Sequence, residues 1–165
     1  MRVRTMGIAA VAASVVLVLG AAVAMAVKTN ADAGLSGYKE VPAISTTGHG
    51  RFSAEISAGQ VSYTLRYGDL EGGAVLFAHI HLGRPSTNGG VIAFLCGGGD
   101  KPACPESGTV HGVIDAADVI GPADQGIAPG EFRELVRAIR HRATYVNVHT
   151  ETYDTGEIRG NVIAS

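Results

Sequence analysis

The sequence predicts a mostly β fold: an antiparallel, Greek-key-like β-sandwich or barrel with one amphipathic helix. Three observations predict it. Apolar residues recur at every second position in short segments, the segments are separated by Gly, Pro, Asn and Asp, and one segment alone changes to the period of a helix.

The first two strands are read from Phe52, Ala54 and Ile56, alternating with Arg51, Ser53 and Glu55, and from Val61, Tyr63, Leu65 and Tyr67, alternating with Ser62, Thr64 and Arg66. A turn at Gly68-Asp69 and Gly72-Gly73 leads to a third strand, Val75 to Leu82, and the turn PSTNGG leads to the apolar run VIAFL. Further strands follow at Thr109 to Asp115, Thr144 to Thr150 and Gly156 to Ile163. In PGEFRELVRAIRHR, Phe132, Leu135, Val136 and Ile139 fall at i, i+3, i+4 and i+7, one apolar face of a helix of about three turns. Arg133, Arg137, Arg140 and Arg142 take its other sides with Glu131 and Glu134 among them, as on a solvated helix face.

Ahead of the strands, Arg2 and Arg4 precede an almost uninterrupted apolar run from Met6 to Val27. The pattern is that of an export signal. About 20 apolar residues also suffice to span a bilayer, so a retained anchor is the alternative. Small-residue sites for cleavage stand at Ala22-Val23-Ala24, Ala24-Met25-Ala26 and Ala31-Asp32-Ala33. The expected division is 1–33 as signal peptide or N-terminal membrane anchor and 34–165 as one domain, exported to the extracellular space or the cell envelope. Any membrane contact is expected through the N-terminal segment alone. The domain carries ten basic against fourteen acidic residues, a balance that argues against a nucleic-acid partner. In an exported chain, Cys96 and Cys104 of CGGGDKPAC are expected to form a disulfide, because seven intervening residues suit neither CxxC redox chemistry nor the usual zinc spacing.

Side chains alternate across a strand, so His79 and His81 of AHIHLG share one face while Ala78, Ile80 and Leu82 share the core face. In TYVNVHT, Val146 and Val148 point inward and Tyr145, Asn147 and His149 outward. In GTVHGVID, His111 points outward. Imidazoles at i and i+2 lie about 6 to 7 Å apart along a strand and can turn toward one ion. A third imidazole would complete a tight site, and imidazole suits copper or zinc. His79, His81 and His149 are therefore the candidate ligands, with Tyr145, Asn147 and His111 as candidates to hold them by hydrogen bonds. Glu157 and Arg159 in GEIRG are also expected outward, as an ordinary structural ion pair. No catalytic residue is assigned: CGGGD lacks the Gly-Lys-Ser/Thr ending of a phosphate loop, and no GxSxG string occurs.

LSGYKEVPAISTTGHGRF, AHIHLGRPSTNGGVIAFLC, YVNVHT and GEIRGNV, in this order, resemble the CHRD domain, the module first described in chordin and found also in exported bacterial proteins. The resemblance runs from Leu35 to Val162 and implies an extracellular or envelope β-sandwich, acting as a binding module for an extracellular or envelope protein or ligand. It attaches no general catalytic activity. His79 and His81 fall on the family's HIH and His149 on its NVHT; His111 lies outside the pattern. The candidate site alone also resembles that of copper/zinc superoxide dismutases, which carry a His-x-His strand and a glycine-rich turn on the outer face of a Greek-key barrel. Here no histidine follows His81 until His111, so the bridging and zinc-binding histidines have no counterpart. A copper- or zinc-dependent redox or hydrolytic enzyme with an open metal position is the alternative function.

Overall fold

The computed structural model describes residues 29–165. The apolar run from Met6 to Val27 lies outside them. The described chain forms β1 (Thr29–Ser36), β2 (His49–Ser57), β3 (Gln60–Gly68), β4 (Val75–Leu82), β5 (Val91–Cys96), β6 (Gly108–Ile114), α1 (Phe132–Arg140), β7 (Thr144–Thr150), β8 (Ile158–Asn161) and β9 (Ile163–Ala164). Among these residues no helix is long and apolar enough to cross a membrane.

All strands join one antiparallel sheet in the order β5-β4-β7-β8-β1-β2-β3-β6, with β9 beside β1. The sheet curls until its edges, β5 and β6, approach each other, giving a nearly closed barrel. Two tyrosines of β3 tie this seam. The Tyr63 hydroxyl donates to the Leu95 carbonyl and that of Tyr67 to the Pro105 carbonyl, each at 2.6 Å. Gly112 of β6 makes room for the first: a Cβ there would sit 2.3 Å from the Tyr63 oxygen. The expected Cys96–Cys104 disulfide is formed and closes the loop between the two edge strands.

The alternation read from the sequence fills the barrel. Phe52, Ala54 and Ile56 of β2 and Val61, Tyr63, Leu65 and Tyr67 of β3 are all buried, as are Ala78 and Ile80 of β4 and Val146 and Val148 of β7. One strand lies across the expected domain boundary at 33/34. β1 begins at Thr29, pairs with β2 along its whole length, and buries Ala31, Ala33 and Leu35.

Helix α1 packs with Leu135 and Ile139 in the main core and with Phe132 and Val136 partly buried against it. Its last turn carries Arg137 and Arg140, whose charge suits the negative pole of the helix dipole. Leu135→Ala should cost about 2 to 5 kcal/mol in urea unfolding, since a fully buried leucine leaves a cavity behind. A loss within about 0.5 kcal/mol, typical of surface positions, would place the helix outside the core.

Candidate metal centre

The β4–β7 ladder decides which residues meet. Its register sets Phe77 opposite His149, His79 opposite Asn147 and His81 opposite Tyr145. All of these side chains point away from the barrel interior. The ring centroids of His79 and His149 lie 4.6 Å apart, and those of His79 and His81 4.9 Å apart. One nitrogen from each of His79, His81 and His149 lies within 4.8 Å of the others.

This face was expected to be exposed, and it is not. His79, His81, Tyr145, Asn147, His149, Glu157 and Arg159 are all buried, and β7 is covered along its full length. Alternation reports which side of a strand a residue takes, but not whether loops cover that side. The segment 83–90 supplies much of the cover: Arg159 donates to the carbonyls of Arg84 (3.2 Å) and Thr87 (2.7 Å) and to Asn88 Oδ1 (3.1 Å). Asn88 in turn donates to the Val41 carbonyl. Aromatic rings complete the enclosure. Phe77 packs on His79 and His149, Phe94 meets His79 edge-on, and Tyr145 stacks on His81 with ring centroids 4.6 Å apart. The Arg159 guanidinium lies 3.4 Å over the Tyr145 ring.

The hydrogen bonds select tautomers. His81 Nδ1 lies 2.8 Å from the Gly89 carbonyl and His149 Nδ1 2.8 Å from the Asp154 carbonyl. A carbonyl can only accept, so both Nδ1 atoms carry hydrogen and both Nε2 atoms present lone pairs. His81 Nε2 faces His79 Nδ1 at 3.0 Å. His149 Nε2 is buried without a partner. Burial, reinforced by the neighbouring imidazoles, pushes His79 down to about 3. Burial likewise pushes His149 to about 4, and it lowers His81. All three are therefore neutral at pH 7, the form a metal ion requires. Zinc or copper bound at about 2.0 to 2.1 Å from each nitrogen spaces tetrahedral ligands by roughly 3.3 Å. The 3.0 Å between His79 and His81 is close to that, and the three nitrogens lie within 4.8 Å of one another, a spread that ring rotation would have to close around such an ion.

Other expectations fare differently. Tyr145 and Asn147 belong to the cluster: the Gly89 amide donates to the Tyr145 hydroxyl at 3.3 Å, and Asn147 stands opposite His79 in the ladder, buried with its Oδ1 unpartnered. His111 does not belong to it. It is exposed on β6, with Nδ1 3.0 Å from Thr64 Oγ1. Among the described residues, Glu157 and Arg159 form no ion pair with each other or with neighbours. Alternation places them together, but each is claimed by a different loop. Glu157 accepts from Thr46 Oγ1 (2.7 Å), Glu71 N (2.7 Å), Gly72 N (3.0 Å) and Thr150 Oγ1 (2.8 Å).

Sequence reasoning missed Glu40. It follows a single turn of 3-10 helix, Gly37–Lys39, which brings a carboxyl from outside the sheet onto the buried face. Burial raises it to about 7, although the Arg159 guanidinium and hydrogen bonds from Asn147 and the Val41 backbone favour its ionised form. Gly156, at φ 127°, permits this approach, because a Cβ there would sit 2.4 Å from Glu40 Oε1. The available signal was a lone acidic residue between Lys39 and Val41-Pro42, with no periodic strand to give it a facing.

No curated protein matches the chain. The family model described as CHRD domain matches residues 31–162, from within β1 to the residue before β9, and takes in all three histidines. The chain belongs to the CHRD domain family.

Proposed function

We propose that this protein is an exported binding module whose buried β4–β7 face holds one copper or zinc ion on His79, His81 and His149. The observation that carries the reading is the buried, unpartnered Nε2 of His149, on a residue with a ring nitrogen within 4.8 Å of nitrogens of His79 and His81. Buried polar atoms are normally paired, and an orphan in such a place calls for an ion or a water. The outer hydrogen bonds support it too. A ligating imidazole commonly donates its other N–H to a backbone carbonyl, as His81 and His149 do here. When bound, the ion would supply fixed positive charge and a cross-link between β4 and β7. The chain's own part is to hold the rings by Gly89 and Asp154 and to exclude water with Phe77, Phe94 and Tyr145.

The enzyme alternative requires an open position that substrate can reach. Aromatic side chains lie against the imidazoles from several sides, which favours a binding or bracing role. The disulfide suits an oxidising compartment.

The test is titration of the full chain, prepared without a polyhistidine tag, with copper and with zinc. One ion per chain is expected, with a rise in Tm, since a ligand of the folded state stabilises it. His79→Ala, His81→Ala and His149→Ala should each weaken binding by about tenfold or more, an effect already seen for partners one step removed from a metal. Wild-type binding no tighter than that of the three variants would end the reading.

A further inference from the structure

The N-terminal apolar run leads into the fold at a particular place. Only Lys28 separates Val27 from Thr29, and Thr29 pairs with Ile56 at the last turn of the β2 ladder. The next three residues, Ser57, Ala58 and Gly59, form the β2–β3 hairpin and line one wall of a surface cavity of about 840 Å³. The other wall is α1, which presents Arg133, Arg137 and Arg140 there, with Phe132 and Val136 between them. The C-terminus belongs to the same end of the barrel, for Asn30 and Ser165 exchange backbone hydrogen bonds. The opposite end holds His49 and Gly108, which begin β2 and β6, and Gly68, which ends β3.

The three arginines are exposed. Arg137 pairs with Glu134 at 3.4 Å, whereas Arg133 and Arg140 have no ion-pair partner among the described residues. A domain with an acidic excess thus gathers cations at one end, around partly buried apolar side chains, and Lys28 adds a further cation in sequence. Guanidinium groups match phosphate geometry, and apolar residues among basic ones are the composition of a surface that rests in a headgroup layer. A run of 22 residues, Met6 to Val27, is long enough to cross a bilayer. One residue spans at most about 3.6 Å, so if the run is retained, a linker of Lys28 alone would keep this end of the barrel against the membrane.

We propose that the arginine face of α1, with the β2–β3 hairpin, is a docking surface for anionic phospholipid headgroups of the bilayer that retains Met6 to Val27. The anchor sets the distance and the arginines set the tilt. The barrel then stands on its α1 end, and the disulfide loop points away from the membrane.

The full chain is to be placed in nanodiscs of phosphatidylcholine alone, or mixed with phosphatidylglycerol. A fluorophore is attached through Ala58→Cys on the exposed hairpin or, as a control, through Glu106→Cys near the opposite end. Quenching by headgroup spin-labelled lipid is the readout. The expected result is severalfold stronger quenching at position 58 in the anionic discs than in the neutral ones, with little at position 106. Sodium chloride should reduce the difference, because screening weakens contacts between exposed charges. R133E/R140E, which alters exposed side chains only, should abolish it. Equal quenching in both lipids, or at both positions, would overturn the proposal. Inorganic phosphate that removes the difference at an ionic strength where chloride does not would reassign the face to a free anion. Mass spectrometry of the exported chain showing it cut after Ala24, after Ala26 or further downstream would remove the anchor and the proposal with it.

Discussion

Glu157→Ala is expected to destabilise the domain by about 3 to 6 kcal/mol, enough to abolish folding if total stability lies at the low end of the usual 5 to 15 kcal/mol. The carboxylate is fully buried and takes four hydrogen bonds, two from backbone amides and two from threonine hydroxyls. Deleting it strands two buried donors, the Gly72 amide and the Thr150 hydroxyl, while the donors from half-buried Thr46 and exposed Glu71 can turn to water. Each unsatisfied buried donor costs about 1 to 3 kcal/mol, and the vacated volume adds to that. Relaxation is restricted because the site is tight: a Cβ on Gly72 would lie 1.9 Å from Thr150 Oγ1. Glu157→Gln should fall between wild type and alanine, since its amide oxygen still accepts while its NH₂ faces donors. Urea unfolding of the three proteins checks this. A loss below about 1 kcal/mol for alanine would mean that water replaces the carboxylate and that the clamp is dispensable.

The second large effect is a loss of stability in acid for the metal-free protein. His79 and His149 protonate near pH 3 and 4 when folded, and His81 is also lowered, whereas an unfolded histidine protonates near about 6.5. Between these values the unfolded chain binds more protons, so stability falls as pH falls. Each such group contributes about 1.4 kcal/mol per pH unit once its unfolded counterpart is charged. Glu40 acts in the opposite sense. Its folded value near 7 lies above 4.5, so the folded state holds the extra proton and stability falls as pH rises through that window. His79 and His149 against Glu40 leave a net loss of at least about 1.4 kcal/mol per unit between roughly pH 5.5 and 4.5, to which the lowered His81 adds in the same sense. Urea midpoints measured in chelator at these two values should show it. His79→Leu combined with His149→Leu removes the two largest contributions and leaves Glu40 opposing what remains, so the loss in acid should be abolished. A slope that persists there would assign the acid sensitivity to other groups.

The barrel was legible because period-two alternation is a property of single strands, as in Val61, Tyr63, Leu65 and Tyr67. The shared facing of His79, His81 and His149 was legible for the same reason. Their proximity was not, because it depends on the β4–β7 register, which pairs residues about 70 apart in sequence. Their burial was still less accessible. It is produced by PSTNGG, which reads as a mere turn but folds back over β8, and by a turn that carries Glu40 inward. β1 escaped notice for a different reason: alanines at alternate positions, Ala31 and Ala33, serve equally as the inward face of a strand and as the small-residue signature of cleavage.

That double meaning has a consequence for maturation. A peptidase binds its substrate as an extended, unpaired chain, whereas in the finished fold residues 29–36 are hydrogen-bonded to β2 throughout, with Ala31 also beside β9. A cut after Ala33 must therefore precede folding, and it would leave β2 facing an empty position along most of its length. An unpaired strand of that kind invites pairing with another molecule. Processing upstream, at Ala24 or Ala26, spares the ladder, so the two ways of reading ADA are separated by timing: the strand forms a shield over a bond that the unfolded chain exposes.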